Sequence, residues 1–438
     1  MANRLLIIQP SFYRSKTDRT VVKMRRRPLV PLVLPYLAAL TPPGWKISLI
    51  DEAVAPVDLE AAADVVAITT WTLNSIRAYD LASEFRKRGR MVILGGPHVY
   101  FFPEEAGPHA DAIGIGEGES LWAEMLADAA SGQLRPVYKS GSASDLKGLP
   151  CPRYDLLDLR PYGRIRTFSV QSTRGCPFTC DFCSERLYLG GAFRCRPVPE
   201  VIDEIKRVGG KYLFFAESNF GGKPPHAVEL MEALIPLKVR WSTLWSMNLC
   251  ADRHFLDLAQ RSGLLHVNIG IESLSPDTIS SMKKRQNAAS RYGEALQELR
   301  RRGISYSLNF IFGWDNDTRD VFKTTSEFLK EHKVPVAYFN VLTPDKGTAY
   351  YERMRQANRI LNASEIGRWP DRTCHIRPAF CTPTELEFEV QRLYRQFYSL
   401  PSMLARLPLP LSQSSLASWA LNFSQRRTVR ALSSFGNY

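Results

Sequence analysis

Thr173-Arg174-Gly175-Cys176-Pro177-Phe178-Thr179-Cys180-Asp181-Phe182-Cys183 is the most informative stretch of the 438 residues. It places three thiols on one short loop. Three thiolates can hold three irons of a cubane cluster, which leaves the fourth iron open to a small bidentate ligand. Thiolate is the soft ligand that iron–sulfur clusters select. A closed structural zinc site would need a fourth protein ligand. A His, Cys or Asp elsewhere could supply it, so zinc stays open as an alternative at this point. The other five cysteines, Cys151, Cys195, Cys250, Cys374 and Cys381, are dispersed. They do not read as a disulfide framework.

From Thr167 onward, on both sides of this loop, short apolar runs alternate with amphipathic ones. Phe168–Ser172, Tyr212–Ala216, Val239–Ser246, Leu265–Ile271, Tyr306–Phe312 and Ala337–Leu342 read as strands. Pro199–Val208, His226–Ile235, Phe255–Ser262, Ala289–Arg302 and Thr318–His332 read as the helices between them. This alternation predicts a partial (β/α)6 barrel over residues 166–360, with function gathered at the strand C-termini. Residues 361–438 read as a helical C-terminal extension that becomes rich in Pro, Ser and Leu.

Upstream, residues 1–135 show a second α/β alternation. Leu5–Gln9, Lys46–Asp51, Val65–Thr70, Met91–Gly96 and Ala112–Gly116 read as strands, with helices at Pro31–Leu40 and Ile76–Arg86 and from Gly118 through Leu126. Strands that are apolar without strict alternation suit a doubly wound parallel sheet buried on both faces. Ligands bind such sheets at the strand C-termini. Gly114-Ile115-Gly116-Glu117-Gly118 opens a helix but lacks a full dinucleotide fingerprint. Residues 136–165, with Gly141-Ser142-Ala143-Ser144 and Pro150-Cys151-Pro152, read as a linker.

The formal charge is +13, spread along the chain apart from Lys23-Met24-Arg25-Arg26-Arg27. No nucleic-acid-binding motif accompanies it, so no nucleic-acid partner is expected. No apolar run approaches the length of a spanning helix, and the N-terminal apolar run is too short for a signal peptide. A cytoplasmic protein is expected. The Lys23–Arg27 cluster, and the tail in which Arg406, Arg426, Arg427 and Arg430 interleave with Leu, Trp and Phe, suit peripheral contact with an anionic membrane.

The Cys-x3-Cys-x2-Cys spacing, with Phe182 before the last cysteine, resembles the radical S-adenosylmethionine (radical SAM) superfamily. The resemblance implies that Cys176, Cys180 and Cys183 ligate a [4Fe–4S] cluster whose open iron binds S-adenosylmethionine. Reduction would then yield a 5′-deoxyadenosyl radical that abstracts hydrogen from an unactivated carbon. The superfamily's cofactor contacts map onto Glu217 in Phe214-Phe215-Ala216-Glu217-Ser218-Asn219, onto Ser246, onto Gly270 and Glu272 in Gly270-Ile271-Glu272-Ser273, and onto Asn309 and Phe312 in Asn309-Phe310-Ile311-Phe312-Gly313. The acidic pair usual after the second strand is half kept, because Ser218 follows Glu217.

The first domain followed by this barrel resembles the cobalamin-binding class of the superfamily. Gln9, Thr69, Thr70, Gly95, Gly96, His98, Gly114, Gly116 and Glu117 match its loop positions. The Asp-x-His-x-x-Gly loop of many cobalamin proteins is missing, which implies cobalamin held without a protein imidazole or a domain that has lost it. His98 is a candidate near-cobalt residue. Residues 1–150 contain no cysteine, which excludes a methylthiotransferase with a second N-terminal cluster. Two C-terminal cysteines, Cys374 and Cys381, are too few for an auxiliary-cluster extension.

The resemblance implies C-methylation of an unactivated carbon of a lipid, a tetrapyrrole or another secondary metabolite. Oxidative cyclisation or rearrangement without methyl transfer is the alternative. A non-catalytic cobalamin and iron–sulfur sensor is the alternative of another class. An electron donor such as flavodoxin or ferredoxin is implied. Trp71, Trp241, Trp245, Trp314 and Trp369 suit a flat or apolar substrate, and core packing explains them equally well.

Overall fold

The structure is a computed structural model that describes residues 3–25, 27–370, 372–408 and 411–433. The chain divides into two compact units, Met1–Gln171 with Glu185–Phe214 and Gly367–Pro370, and Ser172–Ser184 with Phe215–Ile366 and Asp371–Tyr438.

In the first unit, β1 (Asn3–Gln9), β3 (Trp45–Asp51), β4 (Val65–Thr69), β5 (Met91–Gly95), β6 (Ala112–Ile115) and β7 (Val137–Lys139) form one sheet in the order β3-β1-β4-β5-β6-β7. Every pairing in it is parallel. Leu5 to Ile8 and all five residues of β4 are buried, as a sheet covered on both faces requires. One cover is helix α1 (Ser75–Lys87). Its Ala78, Leu81, Ala82 and Phe85 share a core with Leu6, Ile8, Val66, Ile68, Val92 and Leu94. Each buried Leu, Val, Ile or Phe contributes about 1.5–3 kcal/mol. The order reverses between β1 and β4, so the ligand crevice of such a sheet lies at Gln9 and Thr69-Thr70.

The sheet runs further than the sequence indicated. Val137–Lys139 pairs with β6 and lies inside the stretch read as a linker. Three residues are too few to show a periodicity. The rest of that stretch is tied to the first unit, since Tyr162 donates to Asp51 at 2.8 Å. The two-residue β2 (Leu29–Val30) pairs in parallel with β8 (Thr167–Val170), which neighbours β9 (Tyr212–Phe215).

In the second unit, β10 (Arg240–Ser246), β11 (Leu264–Glu272), β12 (Ser305–Phe312) and β13 (Val336–Val341) are parallel and consecutive neighbours. All six barrel strands read from the sequence are therefore present. Val267, Ile269 and Ile271 of β11 are fully buried on one face. His266, Asn268 and Gly270 alternate onto the other. That face carries a polar ladder: the His266 ring meets Ser305 Oγ at 2.7 Å and Ser307 Oγ at 3.1 Å, and Asn268 Oδ1 accepts from Ser307 and Asn309. Helix α2 (Val321–Glu331) leads into β13 and buries Phe322, Thr325 and Leu329.

The C-terminal extension covers the exposed edge of β13. Its helix α3 (Pro383–Phe397) starts at a capping box between Thr382 and Glu385. Tyr394 Oη accepts from Phe339 N at 2.9 Å, and Tyr398 donates to Ala337 O at 2.7 Å. Two edge groups that would template aggregation are thus satisfied by side chains. Beyond α3 come α4 (Leu400–Arg406) and α5 (Gln413–Ser433). Among the described residues no helix is long and apolar enough to cross a membrane.

Two basic residues grouped with a membrane-facing surface have internal roles. Arg27 pairs with the buried Asp51 at 2.7 Å. Arg406 is buried and lies over the Phe397 ring at 3.5 Å. Arg26 and the side chain of Arg430 lie outside the described residues.

Candidate functional site

The cysteine loop leaves β8 through Gly175, whose φ of 89° is open to glycine and strained for other residues. A turn from Cys183 N to Cys180 O (3.2 Å) folds the second half. Between these cysteines, Asp181 is buried and anchors the loop. Its carboxylate pairs with Arg353 at 2.5 Å and with Lys283 at 3.0 Å, and its backbone bonds Met282 O and Tyr350 N. At the loop's base, Glu217 is buried and accepts from Ser172 N (2.7 Å), Ser172 Oγ (2.6 Å) and Thr173 Oγ1 (2.6 Å). Glu217, which the sequence assigned to S-adenosylmethionine, thus has both carboxylate oxygens engaged in holding the loop. Burial pushes its carboxyl up to about 7, and the hydrogen bonds from Ser172 and Thr173 act in the opposite direction.

Strand register brings the other predicted residues into line. Gly270 is the register partner of Ser246 on one side and of Asn309 on the other. The register then slips, and Glu272 adopts a φ of 61°, a left-handed conformation rare outside glycine. This turns its carboxylate onto Lys284 Nζ at 2.6 Å. A Cβ on Gly270 would stand 2.3 Å from Glu272 Oε1 and 3.0 Å from Lys284 Nζ, so a side chain there would have to push the pair aside. Phe312 behaves differently. Its ring is buried with Phe310, Phe322 and Phe339, and its carbonyl accepts from Leu342 N. It is a core residue on the face opposite Asn309.

The segment Lys284–Asn287 was missed in the sequence. Lys284 is buried, which lowers its pKa, yet the Glu272 carboxylate and the Cys180 and Cys183 thiols leave it raised overall. The same ammonium lowers the pKa of Cys176, which burial raises. One cation therefore acts on all three cysteines. Gln286 Nε2 donates to Cys180 Sγ at 3.7 Å, and Asn287 Nδ2 donates to Gly270 O and Ile271 O. The one available signal was a basic and amide run, Lys283 to Asn287, in the loop after the short helix Pro276–Ser281 that follows a strand end already assigned to the cofactor.

Among the described residues no His, Cys, Asp and Glu side chains stand in a ready-made metal group. The donor set nevertheless suits a cluster carrying S-adenosylmethionine. Three soft thiols share one loop and one buried cation. Around them, Asn219 Oδ1, Gln286 Oε1 and Asn287 Oδ1 are buried acceptors without partners. Asn219 Nδ2 also donates to Ser246 Oγ at 3.4 Å. Buried polar atoms are normally satisfied, so these acceptors fit a ligand bearing N–H donors.

In the first unit, Gln9, Thr69 and Thr70 stand at the reversal of strand order. Gln9 Oε1 is buried and unpartnered. Gly96 has a φ of 104°, and a Cβ there would lie 2.8 Å from Thr70 O, so β4 and the turn after β5 touch through glycine. Gly95 and Gly114 are register partners, and Gly116 at φ 112° leaves no room for a Cβ against Ser140. His98 is fully buried, and its ring nitrogens meet Thr72 Oγ1 (3.3 Å) and Tyr79 Oη (2.9 Å). Glu117 is buried and committed to Arg194 (2.7 Å) and Ser144 N (2.6 Å). Both engage the protein interior, whereas Gln9 stands at the reversal of strand order; Gly114 packs against Met125 and Leu121. Of the tryptophans, Trp241, Trp245 and Trp314 are core residues, and Trp71, beside Thr70, is 51% exposed.

A doubly wound domain followed by a barrel whose first strand leads into a three-cysteine loop defines a radical SAM enzyme with a corrinoid-type domain. Residues 170–329 match the Radical SAM superfamily, and residues 19–126 match the B12 binding domain. Bacteriochlorophyllide d C-12(1)-methyltransferase of Chlorobaculum tepidum is 30% identical over 98% of this chain and 93% of its own. The C-8(2)-methyltransferase of the same organism is 28% identical over 87% of this chain and 88% of its own. The fold matches that of TsrM from Kitasatospora setae, solved with cobalamin and a [4Fe–4S] cluster, with a TM-score of 0.69 at 16% identity over 98% of this chain and 100% of that one. The chain belongs to the cobalamin-dependent radical SAM methyltransferase family, whose cofactors are a [4Fe–4S] cluster, S-adenosylmethionine and cobalamin.

Proposed function

We propose that this enzyme methylates an unactivated carbon at the periphery of a chlorin-type tetrapyrrole. The observation that carries the substrate class is the end-to-end similarity to two methyltransferases named for bacteriochlorophyllide d, one of them covering 98% of this chain. The bound cofactors supply hydrogen abstraction and the methyl group.

The chain's own residues hold and shield them. Cys176, Cys180 and Cys183 would hold the cluster, and Glu217 and Asp181 fix their loop from its two ends. Lys284 supplies positive charge beside the thiolates. Asn219, Gln286 and Asn287 would accept hydrogen bonds from S-adenosylmethionine. Gln9 and the Thr69-Thr70 and Gly95-Gly96 turns would receive the corrinoid. A flavodoxin- or ferredoxin-type protein supplies the electron in this reading.

The test is anaerobic turnover of the reconstituted holoenzyme with a bacteriochlorophyllide, followed by mass spectrometry. A product heavier by one CH2, formed together with 5′-deoxyadenosine, is expected. Formation of 5′-deoxyadenosine with a ring-closed product and no added CH2 would establish cyclisation instead.

Peripheral membrane contact rests on exposed Leu404, Leu411, Leu416 and Phe423 in the extension. Flotation with phosphatidylglycerol vesicles at low salt tests it, and a protein that stays at the bottom of the gradient excludes it.

A further inference from the structure

A cavity of about 840 Å³ opens between α2, α3 and α4, within the second unit and built from the C-terminal extension. That size lies in the range of roughly 300–1,000 Å³ used by small-molecule sites. Leu329, Leu393 and Phe397 form an apolar, buried wall.

The polar lining is one-sided. Lys330, Lys333, Arg395 and Arg406 all reach the cavity, and no Asp or Glu lines it. Lys333 follows the end of α2 at a left-handed φ of 43°. Among the described residues, the side chains of Lys330, Lys333 and Arg395 make no ion pair. Arg406 is buried, and its N–H groups meet Ser402 Oγ, the carbonyls of Val334, Pro335 and Phe397, and Asn422 Oδ1. Every one of those acceptors is neutral. The guanidinium is held by neutral acceptors and by the Phe397 ring, with no carboxylate against it, whereas a buried cation normally has a counter-charge. Nothing in the cofactor site uses this group.

An apolar wall beside three free cations and one buried cation is complementary to a ligand with a hydrocarbon body and an acidic head. We infer that this cavity binds a single-chain anionic amphiphile as a monomer, with its carboxylate or phosphate among Lys330, Lys333 and Arg395 and its chain along Leu329 and Phe397.

The full chain is titrated with a dansyl-labelled long-chain carboxylate below its critical micelle concentration, and separately with the alcohol of equal chain length. Saturable binding of one carboxylate per chain, at least tenfold tighter than the alcohol, is expected. The Lys330→Gln/Lys333→Gln double variant should weaken the carboxylate at least tenfold and leave the alcohol unchanged. The wild-type comparison of acid with alcohol needs no variant, so it holds even if the double variant folds poorly. Equal affinity for acid and alcohol, or no saturable binding, overturns the inference. So does binding to phosphatidylglycerol vesicles without binding to the monomeric acid.

Discussion

Lys284 Nζ stands 2.6 Å from Glu272 Oε1, both groups are buried, and the carboxylate reaches that position only because Glu272 adopts a left-handed backbone conformation. The pair sits over Gly270 and beside the thiols of Cys180 and Cys183. One residue at a strand terminus and one in the loop beyond the next helix, Pro276–Ser281, therefore act on the electrostatics of a loop far earlier in the chain.

Breaking this pair should be costly before any cofactor is bound. Removing one partner of a buried ion pair leaves an uncompensated charge, worth about 3–5 kcal/mol. Glu272→Gln and Lys284→Met should each lower the unfolding free energy of the cofactor-free protein by roughly 3 kcal/mol. The double variant should lose less than the sum, with a coupling of at least about 1 kcal/mol. Guanidinium denaturation of the four proteins measures this. Strict additivity would show that the contact carries no energy.

The cysteine assignment is tested against the chain's other thiols. Cys176→Ala, Cys180→Ala and Cys183→Ala together should abolish the cluster, which otherwise accounts for about four irons per chain, and with it formation of 5′-deoxyadenosine. Cys151→Ala and Cys195→Ala should leave both intact. Iron analysis and chromatography of the nucleoside provide the readouts. A full iron complement in the triple variant would refute the assignment.

Glu217 gives the fold a pH dependence with a definite sign. Burial holds its folded-state pKa up at about 7, above the ordinary glutamate value of 4.5. The folded chain therefore keeps a proton that the unfolded chain has released. The stability from this group is fully present below about 4.5 and is lost as pH rises to about 7, at up to about 1.4 kcal/mol per pH unit. His266 acts in the opposite sense. Desolvation lowers its pKa to about 4 from the ordinary histidine value of 6.5, so its contribution is present above the unfolded value and is lost as pH falls toward 4. The measurement must therefore be the difference between wild type and Glu217→Gln. That difference should fall between pH 5 and pH 7, and a difference independent of pH would contradict the raised pKa.

How much of this was legible in the sequence follows from what leaves a local pattern. The six barrel strands were readable because each is a short run carrying aromatic or branched apolar residues between turn signals and helix-like segments. The cysteine loop was readable because its three ligands are local. Gly270, Ser246 and Asn309 were picked as separate strand ends, and only the register shows them to be neighbours. Lys284, Gln286 and Asn287 were invisible because a turn has no periodicity, and their importance comes from contacts made across the fold. Phe312 was assigned by its segment, yet side chains alternate along a strand, which puts its ring in the core while Asn309 faces the site. Arg406 looked like a surface cation because composition cannot reveal that neutral acceptors will surround a charge.

Gly96 provides the sharpest test of the first unit. Its φ of 104° and ψ of −179° lie in a region essentially reserved for glycine, and a Cβ would press against Thr70 O at 2.8 Å and Thr70 N at 2.9 Å. Gly89 supplies the control, since its φ of 71° is also positive but nothing lies within 4 Å of the place a Cβ would occupy. Gly89→Ala should cost only the conformational penalty of about 1–2 kcal/mol. Gly96→Ala should cost that penalty plus the displacement of Thr70 from the end of β4, a total of roughly 3 kcal/mol or more. Because Thr70 borders the crevice where strand order reverses, Gly96→Ala should also reduce cobalamin uptake, read from the corrinoid absorption of the purified protein, while Gly89→Ala retains it. Equal stability and equal corrinoid content in the two variants would remove the Gly96–Thr70 contact from the cofactor site.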